Sequence, residues 1–576
     1  MLNYEDYFSA KAIVKVLCKY RLKHAKTVHK YHLLRDVSLH PKSLLLLQSK
    51  KKSEHNIEDL FPPRRSWKRP NLESRKKIND THRIKANSLY NTVVWTHLNV
   101  KTNNLTPPKW YLNLQDFITR IQRRAHDPSA QYLKKPVIKP IKKENSASCK
   151  ICRPISIYDL EDRVLISFTA KYLTDVFDSH LHNCSYAFRS ARIADLKNHH
   201  DTIKQIISYK TERSKKNIYA AEADLEKFFD VIDHKVIYSC LEKFVKKISA
   251  TGNTINNNAI VIFHQYLASY SFNKDVFIKN GTDFFIPFNI SNGIFEWPFE
   301  KIKETYSNLD DENIGVPQGG ALSCLIANMV LHEVDEKVDP EPKDRELLYI
   351  RFCDDMVILH TNKDLCTAAL NRYEENVSAL NLLMHKPEFI LQYGKGFWKK
   401  KSKRPYHWAP KYVDKSNVPW LGFVGYQIRY DGAIRVRKKS LKKEALKQKS
   451  EVQEVLKALN LTESTKHLIN ENSRKSKRQQ TFALKNRLIS MSVGRVKLYN
   501  YKTEKNGLCW TNGFQCLTLN PISRSQCRFL DRNRYKKLKY FEKSLSHLIK
   551  DTKNPDDNLK KIFFGHPFSY HGFLKK

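Results

Sequence analysis

The stretch that most constrains this chain is residues 349–360, YIRFCDDMVILH. Apolar and β-branched residues flank the Asp354-Asp355 pair on both sides, the pattern of two short strands joined at a tight acidic turn. Adjacent carboxylates at a hairpin tip offer the hard oxygen ligands that Mg²⁺ takes. Upstream, Ile218–Asp224 (IYAAEAD) reads as another strand ending in a carboxylate. Laid side by side, these strands bring Asp224, Asp354 and Asp355 to one pair of metal ions. Two ions about 3.5–4 Å apart activate an attacking 3′-hydroxyl and stabilise a leaving pyrophosphate, which is the chemistry of nucleotide polymerisation. An Asp-Asp dipeptide alone says little, since Asp310-Asp311 and Asp556-Asp557 read as solvated loop residues. The bracketing strands set the 354–355 pair apart.

A length of 576 residues suggests two to four domains with ample core. The 102 Lys and Arg outnumber the 59 Asp and Glu, for a formal net charge of +43. Solubility needs a net charge of only about 2–8 in a small domain, so the excess points to a large polyanionic partner. The first residues, Met1-Leu2-Asn3-Tyr4-Glu5-Asp6, are acidic rather than a basic leader. With no run of about 18 apolar residues, the expectation is a cytoplasmic protein without a membrane partner. The 11 cysteines sit in scattered apolar contexts, as reduced thiols do. Cys149 and Cys152 form a CxxC without a second one, and Cys509, Cys516 and Cys527 make only a weak zinc set.

Residues 1–105 are basic and helical in pattern, and a structural extension and an RNA-binding arm are both open readings. Residues 137–143 (VIKPIKK) lead through a polar loop to 153–157 (RPISI) and an amphipathic helix, Leu160–Phe177. A basic hairpin or loop before a helix suits a triphosphate clamp, with Arg153 and Arg163 as its cations. Residues 217–234 (NIYAAEADLEKFFDVIDH) deliver Asp224, then Phe228 and Phe229, and Asp233 N-caps a helix over 234–248. Residues 250–312 are Asn-rich and read as an insertion, as does the basic, aromatic stretch 392–418. Residues 314–335 (IGVPQGGALSCLIANMVLHEVD) place Pro317 and Gly319-Gly320 in a tight loop where backbone can approach a ligand. A strand pair with Asp431-Gly432 at its turn then leads into the basic stretch 435–449. Its Arg435, Arg437, Lys438, Lys439, Lys442 and Lys443 suit tracking a duplex backbone, with a solvated helix face as the alternative.

Taken in this order, residues 137–446 resemble a reverse transcriptase. The fingers phrases RPI-x-I and DRV stand at Arg153 to Ile157 and Asp162 to Val164, and YGFR-x-x-R appears as Tyr186 to Arg192 with Ala187 for glycine. D-x-x-x-F-F-D-x-I-x-H is intact from Asp224 to His234. G-x-P-Q-G-x-x-x-S-P-x-x-x-N matches at Gly315, Pro317, Gln318, Gly319, Ser323 and Asn328, with Cys324 in place of proline. The aromatic-x-DD motif is Phe352-Cys353-Asp354-Asp355, and L-G-F and RVRKKS follow at Leu421 and Arg435.

The resemblance implies an α+β right-hand polymerase: fingers, a palm with an antiparallel sheet, a helical thumb, and helical basic N- and C-terminal extensions. The implied boundaries are 1–105 for the extension, 106–217 fingers, 218–430 palm, 431–500 thumb and 501–576 for the second extension. It gives Asp224, Asp354 and Asp355 two Mg²⁺ ions, with Mn²⁺ as a substitute and the Leu225 backbone carbonyl as a further ligand. Gln318, Gly319, Arg153, Arg163 and Lys386 would meet the incoming dNTP, and Phe229 stands at the steric gate against a ribose 2′-hydroxyl. Arg189 and Arg192 join the basic stretch at 435–443 as nucleic-acid contacts. The departures at Ala187, Cys324 and Phe352-Cys353 resemble the bacterial antiphage reverse transcriptases, related to group II intron and retron enzymes. That implies DNA synthesis on a structured noncoding RNA, with a partner protein or a homo-oligomer as further possibilities. Template-independent or repeat-DNA synthesis by the same site is an alternative, and a non-catalytic RNA-binding scaffold is another.

Overall fold

The computed structural model describes residues 3–37, 57–63, 66–68, 81–143, 150–190, 198–340, 344–389, 396–397, 400–409, 419–460, 484, 488, 514, 516–517 and 520–548. The chain divides into two units, Met1–Ile13, Gln115–Val424 and Arg429–Gly432 in the first, Val14–Leu114, Gly425–Ile428 and Ala433–Lys576 in the second.

In the first unit, strands β1 (Val137–Lys142) and β2 (Lys150–Ile157) form an antiparallel hairpin with Val137 opposite Ile157. Helix α1 (Leu160–Phe177) follows where its apolar periodicity places it, and Asp159 caps it by accepting from the Asp162 amide. Asp162 itself is buried, held by Arg124 at 2.7 Å and by the Lys134 amide at 3.0 Å. After helix α2 (His199–Glu212) comes strand β3 (Ile218–Asp224), and helix α3 (His234–Ser249) starts at the Asp233 cap.

The stretch read as an insertion, 250–312, contributes a helix and several aromatic side chains to the core. Helix α4 (Asn257–Ala268) buries Ile262, Phe263, Tyr266 and Leu267 and packs on α1. Past the two-residue strand β4 (Gly293–Ile294), which extends β2, helix α5 (Ala321–Val338) runs through the centre of the unit. Nearly every α5 side chain from Leu322 to Asp335 is buried, its apolar residues spread around the helix and its polar Ser323, Asn328 and Asp335 each hydrogen-bonded. Its Ser323 hydroxyl lies 2.7 Å from that of Tyr266, so α4 is fastened to the start of α5.

Strands β5 (Leu347–Phe352) and β6 (Asp355–His360) form the expected hairpin, and helix α6 (Lys363–Ala379) follows. Strand β7 (Lys403–Ala409) completes a four-stranded antiparallel sheet in the order β5-β6-β3-β7. This strand lies within the stretch read as an insertion, 392–418, and buries Trp408 completely. Its pairing to β3 is fixed by a buried acid. Glu222 accepts from Lys403 Nζ and from the Tyr406 hydroxyl, each at 2.6 Å, so the carboxylate is fully compensated.

One ion pair joins these parts. Arg351 on β5 and Asp335 on α5 both have completely buried side chains, with Nη2 2.6 Å from Oδ2 and Nε 2.9 Å from Oδ1. The Tyr349 hydroxyl donates to the same Oδ1 at 2.8 Å. Arg351 Nη1 reaches the Cys353 carbonyl at 3.0 Å and Asn328 Oδ1 at 3.2 Å. Asn328 in turn donates to the Ala187 carbonyl at 2.7 Å and accepts from the Ser185 hydroxyl at 3.0 Å.

The second unit contains helix Thr81–Lys101, strands Tyr426–Ile428 and Ile434–Val436 paired antiparallel, and two long basic helices, Lys438–Asn460 and Pro521–Leu548. These two helices pack together, burying Val452 and Leu456 on one and Leu530, Leu538 and Phe541 on the other. Gln526 brackets Val436, accepting from its amide at 3.1 Å and donating to its carbonyl at 2.9 Å. Among the described residues no helix is long and apolar enough to cross a membrane.

Removing one partner of a buried pair leaves the other charge uncompensated. Arg351→Met should therefore lower stability by about 3–5 kcal/mol in chemical denaturation, whereas Arg351→Met with Asp335→Leu should recover most of that loss. Equal destabilisation in the single and double variants would show that the network does not act as a unit.

Candidate active site

The sheet register decides where the acids meet. Asp224, the last residue of β3, pairs directly with Asp355, the first of β6, and Phe352 faces Asp355 from β5. Cys353 and Asp354 form the turn between β5 and β6, with Cys353 in the left-handed region at φ 60°. A non-glycine residue there is uncommon, and the Arg351 bond to the Cys353 carbonyl helps to hold it. Burial, followed by the neighbouring Asp224 charge, raises the Asp354 carboxyl above its ordinary range. Like charges directly opposite on a sheet are destabilising, so this edge calls for a cation.

A cation is drawn there from within the chain. Lys401 Nζ lies 2.9 Å from Asp224 Oδ2, with His385 Nε2 at 3.6 Å from the same oxygen and 2.8 Å from Lys401. As the side chains stand, no group of three or more ligating residues among those described encloses a metal position. The donor chemistry nonetheless fits a divalent ion. Three carboxylates share one end of adjacent strands, Asp224 already binds a positive charge, and the mutual repulsion of Asp224 and Asp354 is what such an ion would relieve.

Beside the acids, the loop before α5 is held from all sides. Gly315 and Gly319 have φ of 87° and 93°. A Cβ at Gly315 would press on Phe272 and on the Phe229 and Asp230 carbonyls. The Val316 amide donates to Phe229 O at 2.8 Å and His234 Nε2 lies 2.8 Å from Gly315 O. The Ser156 amide of β2 donates to Gln318 O at 3.0 Å. Gln318 thus bridges the β1–β2 hairpin and Asp230, the neighbour of the half-buried Phe229.

A cluster of cations accompanies this loop. Arg153 is exposed on β2, and Lys143 and Lys227 are close enough to perturb each other. Burial, then the adjacent Lys227 and Arg153 charges, hold the Lys143 ammonium down at about 8. Lys227 has φ 54° and bonds to Glu296, its Nζ 2.8 Å from the backbone carbonyl and 2.9 Å from Oε2. Three cations crowded together, with Glu296 as the adjacent carboxylate, are arranged to receive a polyanion such as a triphosphate.

The reverse transcriptase (RNA-dependent DNA polymerase) family matches residues 141–424. This chain carries a reverse transcriptase domain. Members of that family are nucleotidyltransferases, and the α+β build described above is that of a right-hand polymerase. No curated protein matches the chain. Among solved structures, apo telomerase from Candida tropicalis is similar at 11% identity and a TM-score of 0.30, over 73% of this chain and 65% of that one. Telomerase from Candida albicans in complex with the TWJ fragment of telomeric RNA is similar at 11% identity and a TM-score of 0.29, over 77% and 67%. The chain thus spans just under two thirds of the first of these.

Within the reverse transcriptase domain, several expected site residues are placed differently. Arg189 does not face outward. Its guanidinium is engaged by both Asp178 carboxylate oxygens and by the Asp178, His182 and Ser185 carbonyls, so it pins a turn and has no donor left for a phosphate. Arg192 lies outside the described residues. Arg163 and Lys386 are exposed, the first on the opening turn of α1 and the second next to His385. Leu225 is buried directly after Asp224. Arg435, Arg437, Lys438, Lys439, Lys442 and Lys443 all belong to the second unit, where the four lysines are exposed and Arg435 Nε donates to Gln427 at 2.9 Å. Sequence reasoning missed Lys227, Asp230, His385 and Lys401. Lys227 and Asp230 lie inside the motif that begins at Asp224, which was the available signal.

Lys143 gives the domain a pH signature. An ammonium with a lowered pKa loses its proton as pH rises through about 8, while a bound triphosphate favours the charged form. Nucleotide kcat/KM should fall above pH 8 with little change in kcat. Lys143→Met should remove that limb and raise KM roughly 10- to 100-fold, the scale of the ~1.5–3 kcal/mol of a charged hydrogen bond. An unchanged alkaline limb in Lys143→Met would exclude Lys143 from the anion site.

Proposed function

We propose that the protein is an RNA-directed DNA polymerase whose catalytic residues are Asp224, Asp354 and Asp355, extending a 3′-hydroxyl with dNTPs. The observation that carries this reading is the register of Asp224 against Asp355, with Asp354 in the adjoining turn, inside a reverse transcriptase domain. Those three carboxylates and the Leu225 carbonyl would hold two Mg²⁺ ions, or Mn²⁺ in their place, and such ions would supply Lewis-acid chemistry for the 3′-hydroxyl and the pyrophosphate. Arg153, Lys143 and Lys227 bind the triphosphate, Arg163 and Lys386 lie on the same nucleotide path, and Gln318 and Gly319 present the base-pairing side of the pocket. The Phe229 ring excludes a ribose 2′-hydroxyl by contact. The exposed lysines of helix Lys438–Asn460 follow the nucleic-acid backbone, sequence-independently and with strong salt dependence.

For the biological role, we place the protein in the bacterial cytoplasm, making DNA on a structured noncoding RNA during antiphage defence. What supports this is the set of departures at Ala187, Cys324 and Phe352-Cys353, together with the +43 charge. The retained set of three carboxylates disfavours a non-catalytic scaffold, because a site freed from catalysis has no reason to keep like charges opposed.

Labelled-nucleotide incorporation by the purified protein, with its bound nucleic acid retained, tests the reading. DNA complementary to a bound RNA is the expected product, and repeat DNA that survives RNase treatment would favour template-independent synthesis instead. Asp354→Asn should reduce incorporation by at least about 10²–10³-fold. Its unfolding midpoint should hold or rise at neutral pH, because the raised Asp354 pKa means that ionising this carboxyl costs native stability as pH increases. Wild-type incorporation by Asp354→Asn would overturn the catalytic assignment.

A further inference from the structure

The second acid of the D-x-x-x-F-F-D motif has no part in the chemistry described so far, yet its carboxyl is buried and bonded to another motif residue. Asp230 is buried, and its Oδ1 lies 2.6 Å from Gln318 Nε2, a short charge-assisted bond. Its own backbone is fixed at both ends: the amide donates to Lys227 O at 2.7 Å, and the carbonyl accepts from Trp297 Nε1 at 2.8 Å. Gln318 is equally constrained, its carbonyl bonded to Ser156 and its successor Gly319 in the left-handed region. Between them, Phe229 O receives the Val316 amide. The gate aromatic, the Gln318 loop and Asp230 therefore form one rigid piece.

We propose that Asp230 is a positioning residue that fixes which way the Gln318 side-chain amide faces, and through it the affinity for the incoming nucleotide. This rests on the reading above, in which Gln318 meets that nucleotide. An ionised carboxylate only accepts hydrogen bonds, so it must take the NH₂ end of the amide and leave Oε1 directed away from itself. A protonated carboxyl can donate to Oε1 instead, and the amide is then free to turn over.

Both states lie within reach. Burial raises the Asp230 carboxyl to about 6, against the bond from Gln318 and the charges of Lys227, Lys143 and Arg153. The other titratable neighbour is Tyr270, whose hydroxyl is buried without a hydrogen-bond partner among the described residues. Above pH 6 the carboxylate locks the amide, and below it the lock is released.

The test is steady-state kinetics of dNTP incorporation from pH 5 to 8 for wild type, Asp230→Asn, Gln318→Ala and the double variant, with thermal unfolding of each. In wild type, 1/KM should fall as pH drops through about 6, and this limb should vanish in both single variants. Asp230→Asn should raise KM about tenfold at pH 7.5 while changing kcat less than threefold, and should add less than twofold on top of Gln318→Ala. Independent, multiplying effects of the two substitutions, or an acid limb that survives in Gln318→Ala, would overturn the assignment. The alanine variant keeps this arm available even if Asp230→Asn does not fold. A wild-type protein that incorporates no nucleotide would instead sink the polymerase reading and the assignment with it, whereas an active enzyme with multiplying effects sinks the assignment alone.

Discussion

The buried pair of Arg351 and Asp335 is the constraint on which the acidic hairpin depends. Taking two charges out of water costs several kcal/mol per ion, and the attraction between them compensates only when the remaining donors and acceptors are also satisfied. Here both Asp335 oxygens accept from Arg351, the Tyr349 hydroxyl adds a further bond, and the far nitrogen of Arg351 is shared between Asn328 and the Cys353 carbonyl. One guanidinium thereby connects helix α5, strand β5, the turn that carries Asp354 and, through Asn328, the 185–187 segment. The motif residue Asn328 has its explanation here, as a bracket for backbone rather than a ligand for substrate.

Around that fixed frame the site is electrostatically unsettled on purpose of its chemistry. Asp224 and Asp355 are opposed across a ladder where like charges repel, and Lys143 and Lys227 are crowded together. The first cluster has the charge and donor atoms that suit a divalent cation, the second the charge that suits a triphosphate. Lys401 on Asp224 and Glu296 on Lys227 offset each cluster from within the chain. Rigid backbone makes this possible: the left-handed Cys353, Lys227, Gly315 and Gly319 persist because hydrogen bonds on both sides over-determine them.

Local signals carried much of the fold. The apolar spacing of α1 and the Asp159 and Asp233 caps are properties of neighbouring residues, so Leu160–Phe177 and the start of α3 were legible in the chain itself. Strand β3 and the acidic hairpin were legible for the same reason, by alternation and composition. Helix α4 and strand β7 were not. Asparagines precede α4, and β7 follows a run of lysines, so both looked like additions; each is recruited by a distant partner, Tyr266 by Ser323 and Lys403 with Tyr406 by Glu222.

The site divides in the same way. The three carboxylates, Phe229, the Gln318-Gly319 loop and the strong positive charge could all be read from residue types and their order. That Arg189 is an internal pin on Asp178, that Asp224 faces Asp355, and that Asp230 grips Gln318 from 88 residues away emerged with the folded arrangement. A side chain's identity states which bonds it can make. Which of them it makes depends on burial and register, and those are set by contacts that leave no mark on the neighbouring sequence.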